Sequence, residues 1–269
     1  NSNLSVNALN VMNAAYSMHT SYGLGFMIGK FESPVGHETY NHMDNSQFTR
    51  SYGFNLAPFF STGLMVHYGQ DMWEVGLIAS NGAGRDFDTN DKNKTLGLTV
   101  DVNPMDNLSI DLNYVTGTEN VGGGDYSTNT LDFSVEYMIN EMFDVALNYI
   151  SLAQEASTPG ATEEEGTSIA AYVNANFGMF GLGLRYEQFD FDDQLATYNA
   201  GGTLPAVPTG EDNSIASITL AAKAEIDQNA MVLLEYRQDT ADDNGTWTDK
   251  DGQATDSLST ITASVMYRF

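Results

Sequence analysis

Apolar residues recur at every second position over long stretches of the chain. Leu96, Leu98, Val100 and Val102 alternate with Thr95, Gly97, Thr99, Asp101 and Asn103; Leu108, Ile110, Leu112 and Tyr114 alternate with Ser109, Asp111 and Asn113. Leu131, Phe133, Val135 and Tyr137 oppose Asp132, Ser134 and Glu136, and Phe143, Val145, Leu147 and Tyr149 oppose Asp144, Ala146 and Asn148. A period of two is that of a β-strand with one apolar and one polar face. Further strands are predicted near 22–31, 60–69, 72–80, 167–177, 180–190, 214–224, 230–238 and 257–269. That makes about 12 strands, each of roughly the ten-residue length that crosses a membrane at a tilt.

The connections alternate too. Residues 69–71, 103–106, 139–141, 177–180 and 227–229 are short; 81–93, 117–127, 153–166, 191–213 and 239–256 are long and polar. From residue 60 onward the two kinds alternate strictly, as the tight inner turns and long outer loops of membrane barrels do. The fold class predicted is therefore all-β: a transmembrane antiparallel up-and-down barrel of about 12–14 strands.

The polar face carries charge at strand centres. In a membrane barrel it lines the lumen, whereas a soluble barrel fills its interior with apolar side chains. Aromatics gather near strand ends, at Trp73, Tyr114, Tyr137, Phe143, Tyr149, Phe177, Phe180 and Tyr236, where interfacial girdles would sit; aromatics are also good strand formers in any sheet. No apolar run approaches the roughly 20 residues of a membrane helix. The chain opens at Asn1 without a basic leader, which reads as a processed chain or one that is not exported.

The net charge is −26, from 36 acids and 10 bases among 269 residues. That sign argues against nucleic-acid partners, whose phosphates are neutralised by cations. There is no cysteine, which removes disulfides, thiolate metal sites and haem attachment through CxxCH.

The last strand alternates Ile261, Ala263, Val265, Tyr267 and Phe269 and ends on that phenylalanine. It resembles the carboxyl-terminal signature of bacterial outer-membrane barrels, which implies that Tyr267 and Phe269 form the signal read by the barrel-assembly machinery. Within 26–64, the stretches Gly29-Lys30-Phe31, Ser33-Pro34-Val35-Gly36-His37-Glu38, Thr49-Arg50-Ser51 and Pro58-Phe59-Phe60-Ser61-Thr62-Gly63 resemble the OmpL-like family of β-barrel porins. The resemblance implies a porin of the bacterial outer membrane, in contact with its lipid and lipopolysaccharide, with no defined solute. Members of such families are usually longer, so the resemblance implies strands ahead of this chain. Residues 7–17 read as one more strand, giving an odd count of about 13, where single-chain bacterial barrels have even numbers. Residues 4–16 also fit helical spacing through Leu4, Ala8, Leu9, Met12, Ala15 and Tyr16.

If the apolar faces meet lipid, the lumen receives Glu74, Asp101, Asp111, Asp132, Glu136 and Asp144 on one side. Lys30, Arg50, Arg185, Lys223, Arg237 and Arg268 then stand on the other. Either the two walls set up a transverse field, or the charges pair locally, as Glu187 beside Arg185 and Glu235 beside Arg237 would allow. The connection 32–59 is the longest and carries His37, Glu38, His42 and Arg50, which makes it the candidate pore constriction; the other reading is an ordinary outer loop. His37-Glu38 with His42 misses the HExxH zinc spacing by one residue.

Asp86, Asp88 and Asn90 have the first spacings of a calcium loop but lack its glycine and closing glutamate. They and the acids at 163–165, 239, 242, 243, 249, 251 and 256 read as solvated loops, or as weak sites for a divalent cation bridging anionic headgroups. No other cofactor is expected. The function predicted is passive diffusion of small hydrophilic solutes or ions, favouring cations. The competing readings are a non-conducting structural or adhesive barrel, and a barrel-housed hydrolase. The latter would have only His19, His37, His42 and His67 as imidazole bases, His67 sharing an inward register with Met65. Small outward residues, Ala171, Ala175, Ala222, Ala224 and Ala263, fit a homotrimer contact or lipid equally.

Overall fold

The structure, a computed structural model, describes residues 14–83, 93–121, 124–157, 163–192, 195, 213–242 and 246–268. The alternating segments form β1 (Ala14–His19), β2 (Leu24–Glu32), β3 (Phe60–Gln70), β4 (Trp73–Ala83), β5 (Thr95–Met105), β6 (Leu108–Val121) and β7 (Gly124–Asn140). They continue as β8 (Phe143–Ala156), β9 (Glu163–Phe177), β10 (Phe180–Phe191), β11 (Asn213–Glu225) and β12 (Ala230–Ala241). A small hairpin, β13 (Trp247–Thr248) with β14 (Ala254–Thr255), interrupts the last long connection before β15 (Ser257–Tyr267). The main sheet has 13 strands in sequence order from β1 to β12 and then β15, and every pairing is antiparallel. This is the up-and-down meander of a transmembrane barrel.

Residues 117–127 are not a long loop: β6 and β7 pair out to Val121 and Gly124. Likewise β8 and β9 pair through Glu155 and Glu163. Beyond the apolar band the outer face of a strand no longer requires apolar side chains, so alternation fades while the backbone still needs its hydrogen bonds. At the amino terminus the chain is strand from Ala14, so the helical reading fails over 14–16. Residues 1–13, the rest of that segment, lie outside the described residues.

The register fixes which face meets what. Leu77, Leu96, Leu112, Leu147, Ile169, Leu182, Leu220, Leu234 and Ile261 all stand on the outer row, each between 42% and 77% exposed. A continuous apolar surface of this size is stable only against lipid or another apolar surface. Among the described residues no helix is long and apolar enough to cross a membrane, which has no bearing on strands. Near the short turns, Tyr68 meets Trp73 edge-on at 5.7 Å and Phe143 meets Phe177 at 6.0 Å. These pairs place amphipathic and aromatic rings at one rim of the apolar band, as a girdle requires.

Candidate pore and its inward loop

The connection between β2 and β3, residues 33–59, turns into the lumen instead of away from it. Gly36 makes the turn at φ 97°, a left-handed conformation that side chains disfavour, and its N–H donates to Asp132 on β7 at 2.9 Å. Asn113 on β6 donates to the Pro34 carbonyl at 3.1 Å. Lower down, Asn45 ties the tip together, accepting from the Thr39 N–H at 3.0 Å and donating to the Asn41 carbonyl at 2.7 Å. Asn41 caps the short 3₁₀ turn His42–Asp44 by accepting from the Met43 N–H.

Three wall carboxylates hold the loop by its backbone. Asp132 is the first. Glu187 on β10 accepts from the N–H groups of Tyr52 (2.9 Å) and Gly53 (2.8 Å) and from the Ser168 hydroxyl (2.7 Å). Glu235 on β12 accepts from the N–H groups of Phe48 (2.6 Å) and Thr49 (3.1 Å). The expectation that Glu187 and Glu235 pair with the arginines two residues away fails, because those arginines also serve the loop. Arg185 is fully buried and donates to Glu38 at 2.5 Å, to the Thr49 carbonyl at 2.8 Å and to Thr219 at 3.1 Å. Arg237 donates to the Arg50 carbonyl at 2.6 Å and to Asp239 at 2.8 Å. Bonds with an ionised partner are roughly twice as strong as neutral ones.

An apolar seat completes the attachment. Val35, Leu56 and Ala57 pack on Val115, Ile150, Leu152, Phe189, Phe191 and Ile215, which point inward near the long-loop end of the wall. Tyr52 lies between the Phe189 ring, at 5.3 Å, and the Arg237 guanidinium, at 4.6 Å. Leu56→Ala removes a fully buried side chain and is expected to weaken docking by about 2–5 kcal/mol. Hydrogen exchange on residues 48–56, faster in the variant while strand amides stay protected, checks this.

The loop spans the lumen lengthwise. Its tip reaches Arg268, just beyond β15 at the short-turn end, which pairs with Asp44 at 2.6 Å. Arg50 donates to the Tyr40 carbonyl at 2.9 Å and lies over the Phe54 ring. Of the bases expected to line a pore, Arg185 and Arg237 are therefore covered by the loop. Lys223 pairs with Glu225 at 3.3 Å. Lys30 is 9% exposed, its ammonium over the Phe60 ring.

The acids divide into two sets. Asp132 is 1% exposed beneath the loop, accepting also from Asn113 and Asn148, and does not line open space. Glu74, Asp101 and Asp111 stand directly opposite one another across β4, β5 and β6, and Glu136 and Asp144 follow on β7 and β8. Among the described residues none of these five forms an ion pair with lysine or arginine; His67 contacts Glu74 at 2.9 Å. Like charges directly opposite destabilise a sheet, so the row is not there for stability.

Glu38 sits in the loop under competing influences. Burial pushes its carboxyl up, but Arg185 and the Ser51 N–H and hydroxyl outweigh this and hold it below the ordinary glutamate range. The ionised form therefore favours the docked loop, and that contribution is lost only as pH falls through the depressed value. Loop-dependent conductance is expected to stay constant from neutral to mildly acid pH and to become noisy only below it. Arg185→Met should move the onset of noise upward.

Other expected sites fare differently. His37 lies against the Tyr172 ring at 4.4 Å, while His42 binds the Phe48 carbonyl through Nδ1, so the two imidazoles face different surroundings. Among the described residues no three histidines or acids converge as a metal site. Asp86, Asp88, Asn90 and the terminal Phe269 lie outside the described residues. The parts of the site that sequence reading missed are Glu187 and Glu235 as loop anchors, Asn113 and Tyr172. The apolar inward residues Ile150 and Leu152 were the available signal, since they break the polar row at the height where the loop packs.

An apolar belt outside, a charged lumen within and a loop folded inward define a β-barrel channel of the outer membrane. The chain belongs to the family described as "Putative beta-barrel porin-2, OmpL-like", whose model matches residues 1–269. It is a porin of the bacterial outer membrane. Among solved structures it resembles an anion-selective porin from Comamonas acidovorans, with a TM-score of 0.68 at 11% identity over 95% of this chain and 77% of that one. It also resembles a loop L8 deletion mutant of OmpT from Vibrio cholerae, with a TM-score of 0.65 at 15% identity over 96% and 80%. The channel DcaP of Acinetobacter baumannii gives 0.55 at 11% identity over 91% and 71%. At such identities the likeness is one of fold. No curated protein matches the chain in sequence.

Proposed function

We propose that this porin passes small hydrophilic solutes and ions by passive diffusion, favours cations, and is narrowed by the loop 33–59. The observation that carries the reading is the unequal use of charge along the lumen. Arg185 and Arg237 are spent holding the loop, and Arg268 pairs with its tip, whereas Glu74, Asp101, Asp111, Glu136 and Asp144 have no lysine or arginine partner among the described residues, His67 alone touching Glu74. A pore lined by unpaired carboxylates selects cations, on the logic of charged rings in filters. The Comamonas porin is described as anion-selective, so in this fold the sign of selectivity must come from lining residues. Passive transport without catalysis is the role proposed.

We further propose a homotrimer, as in-vitro folded Vibrio cholerae OmpT is described in a trimer form and Ala171, Ala222 and Ala263 are small exposed residues on the outer face. Contacts with lipid and lipopolysaccharide, weak divalent binding by the outer acids, and recognition of Tyr267 and Phe269 by the assembly machinery belong to the same reading. Liposome swelling tests the channel. Proteoliposomes should swell in small sugars at rates that fall with sugar size, and swell faster in cationic than in anionic solutes of equal size. Absence of swelling in any solute contradicts the proposal.

A further inference from the structure

Between the loop and strands β7–β9 lies a cavity of about 300 Å³. Glu136, Asp144, Tyr172 and Asn174 form its wall side, and His37 and Asp44 stand on its loop side. Glu38 and Asp44, which both border it, are neutralised by Arg185 and Arg268. Glu136 and Asp144 have no ion-pair partner among the described residues, so the cavity is net negative.

Two of its polar atoms lack partners. Tyr172 is 3% exposed, yet its hydroxyl makes no hydrogen bond, while neighbouring Ser51 gives its own proton to Glu38. Asn174 donates through Nδ2 to Asp144 at 2.6 Å and leaves Oδ1 unpaired. An unsatisfied buried polar atom is costly, and these two become satisfied if a ligand in the cavity supplies hydrogen-bond donors.

The shape of the site decides the kind of donor. Among the described residues no three acids or histidines converge as they must around a metal ion. The acceptors instead surround a volume of roughly ten waters. A polyatomic cation with several N–H groups fits that arrangement better than a point charge. The half-buried His37 ring, packed on Tyr172 at 4.4 Å, adds aromatic surface beside the acids. A guanidinium carries five donors in one plane, pairs with carboxylates through two parallel bonds, stacks on aromatic rings and is weakly hydrated; an ammonium does none of the last three as well.

We propose that this cavity is a transient binding site for the guanidinium head of small alkylguanidinium solutes passing through the pore. It rests on the channel reading, since the solute must reach the lumen. The test records single channels of the purified protein with agmatine added on one side. Brief, concentration-dependent interruptions of the current are expected, with putrescine giving dwell times about tenfold shorter. Glu136→Gln, which alters an exposed side chain, and Asp144→Asn should each shorten agmatine dwell times about tenfold, the loss of one charge-assisted pairing. The compact, heat-modifiable gel band of an intact barrel confirms that each variant has folded. An open channel without agmatine interruptions overturns the site and leaves the porin reading standing, as do equal dwell times for agmatine and putrescine. Absence of any channel current removes both.

Discussion

Excising residues 37–50 and joining the ends with a short Gly-Ser linker is expected to raise single-channel conductance about threefold, because flow through a filter is set by its narrowest section. The segment contains the Asn45-tied tip, the Arg185–Glu38 pair and the Phe48 and Thr49 N–H groups bound by Glu235. The wall strands keep their own ladder of backbone bonds, so the barrel should survive. The removal leaves Arg185 buried without its carboxylate, which costs several kcal/mol if water cannot reach it, but the emptied lumen admits water. A milder version, Glu187→Gln with Glu235→Gln, replaces acceptor-only carboxylates by amides that turn donors toward the loop N–H groups. Flickering between two conductance levels is expected from it. Unchanged, quiet conductance in both variants would mean that the loop does not set the pore width.

Neutralising the acid row with Glu74→Gln, Asp101→Asn and Asp111→Asn is expected to bring the potassium-to-chloride permeability ratio toward one. A carboxylate at contact distance attracts a monovalent cation by about 1 kcal/mol in bulk-like water, so losing three should reduce the ratio at least about fivefold. The same variant should be more stable to heat, because three carboxylates opposed across adjacent strands repel. Lower selectivity with higher stability is the paired signature. Lower selectivity with lower stability would point to structural damage instead.

The strands were legible because a sheet with lipid on one face and water on the other must alternate, and Leu96–Asn103 or Leu108–Tyr114 do so without a break. The extra length of β6 and β7 was not legible, because over 117–121 and 124–127 the apolar alternation stops and only backbone pairing continues. The position of the loop was half legible. Its length and its charged residues marked it as special, and an inward fold was one of two readings. What no local pattern records is that Glu187 and Glu235 sit 134 to 187 positions from the N–H groups they bind. Their i+2 spacing to Arg185 and Arg237 suggested local pairs, yet side chains two apart on a strand merely share a face, and the better partner arrived from across the lumen.

A cation-favouring pore is tested by the reversal potential of single channels in a planar bilayer under a tenfold KCl gradient. Repeated unitary steps that reverse at a potential set by potassium are expected. Steps that reverse toward the chloride potential, or a bilayer that stays closed at high protein load, would contradict it.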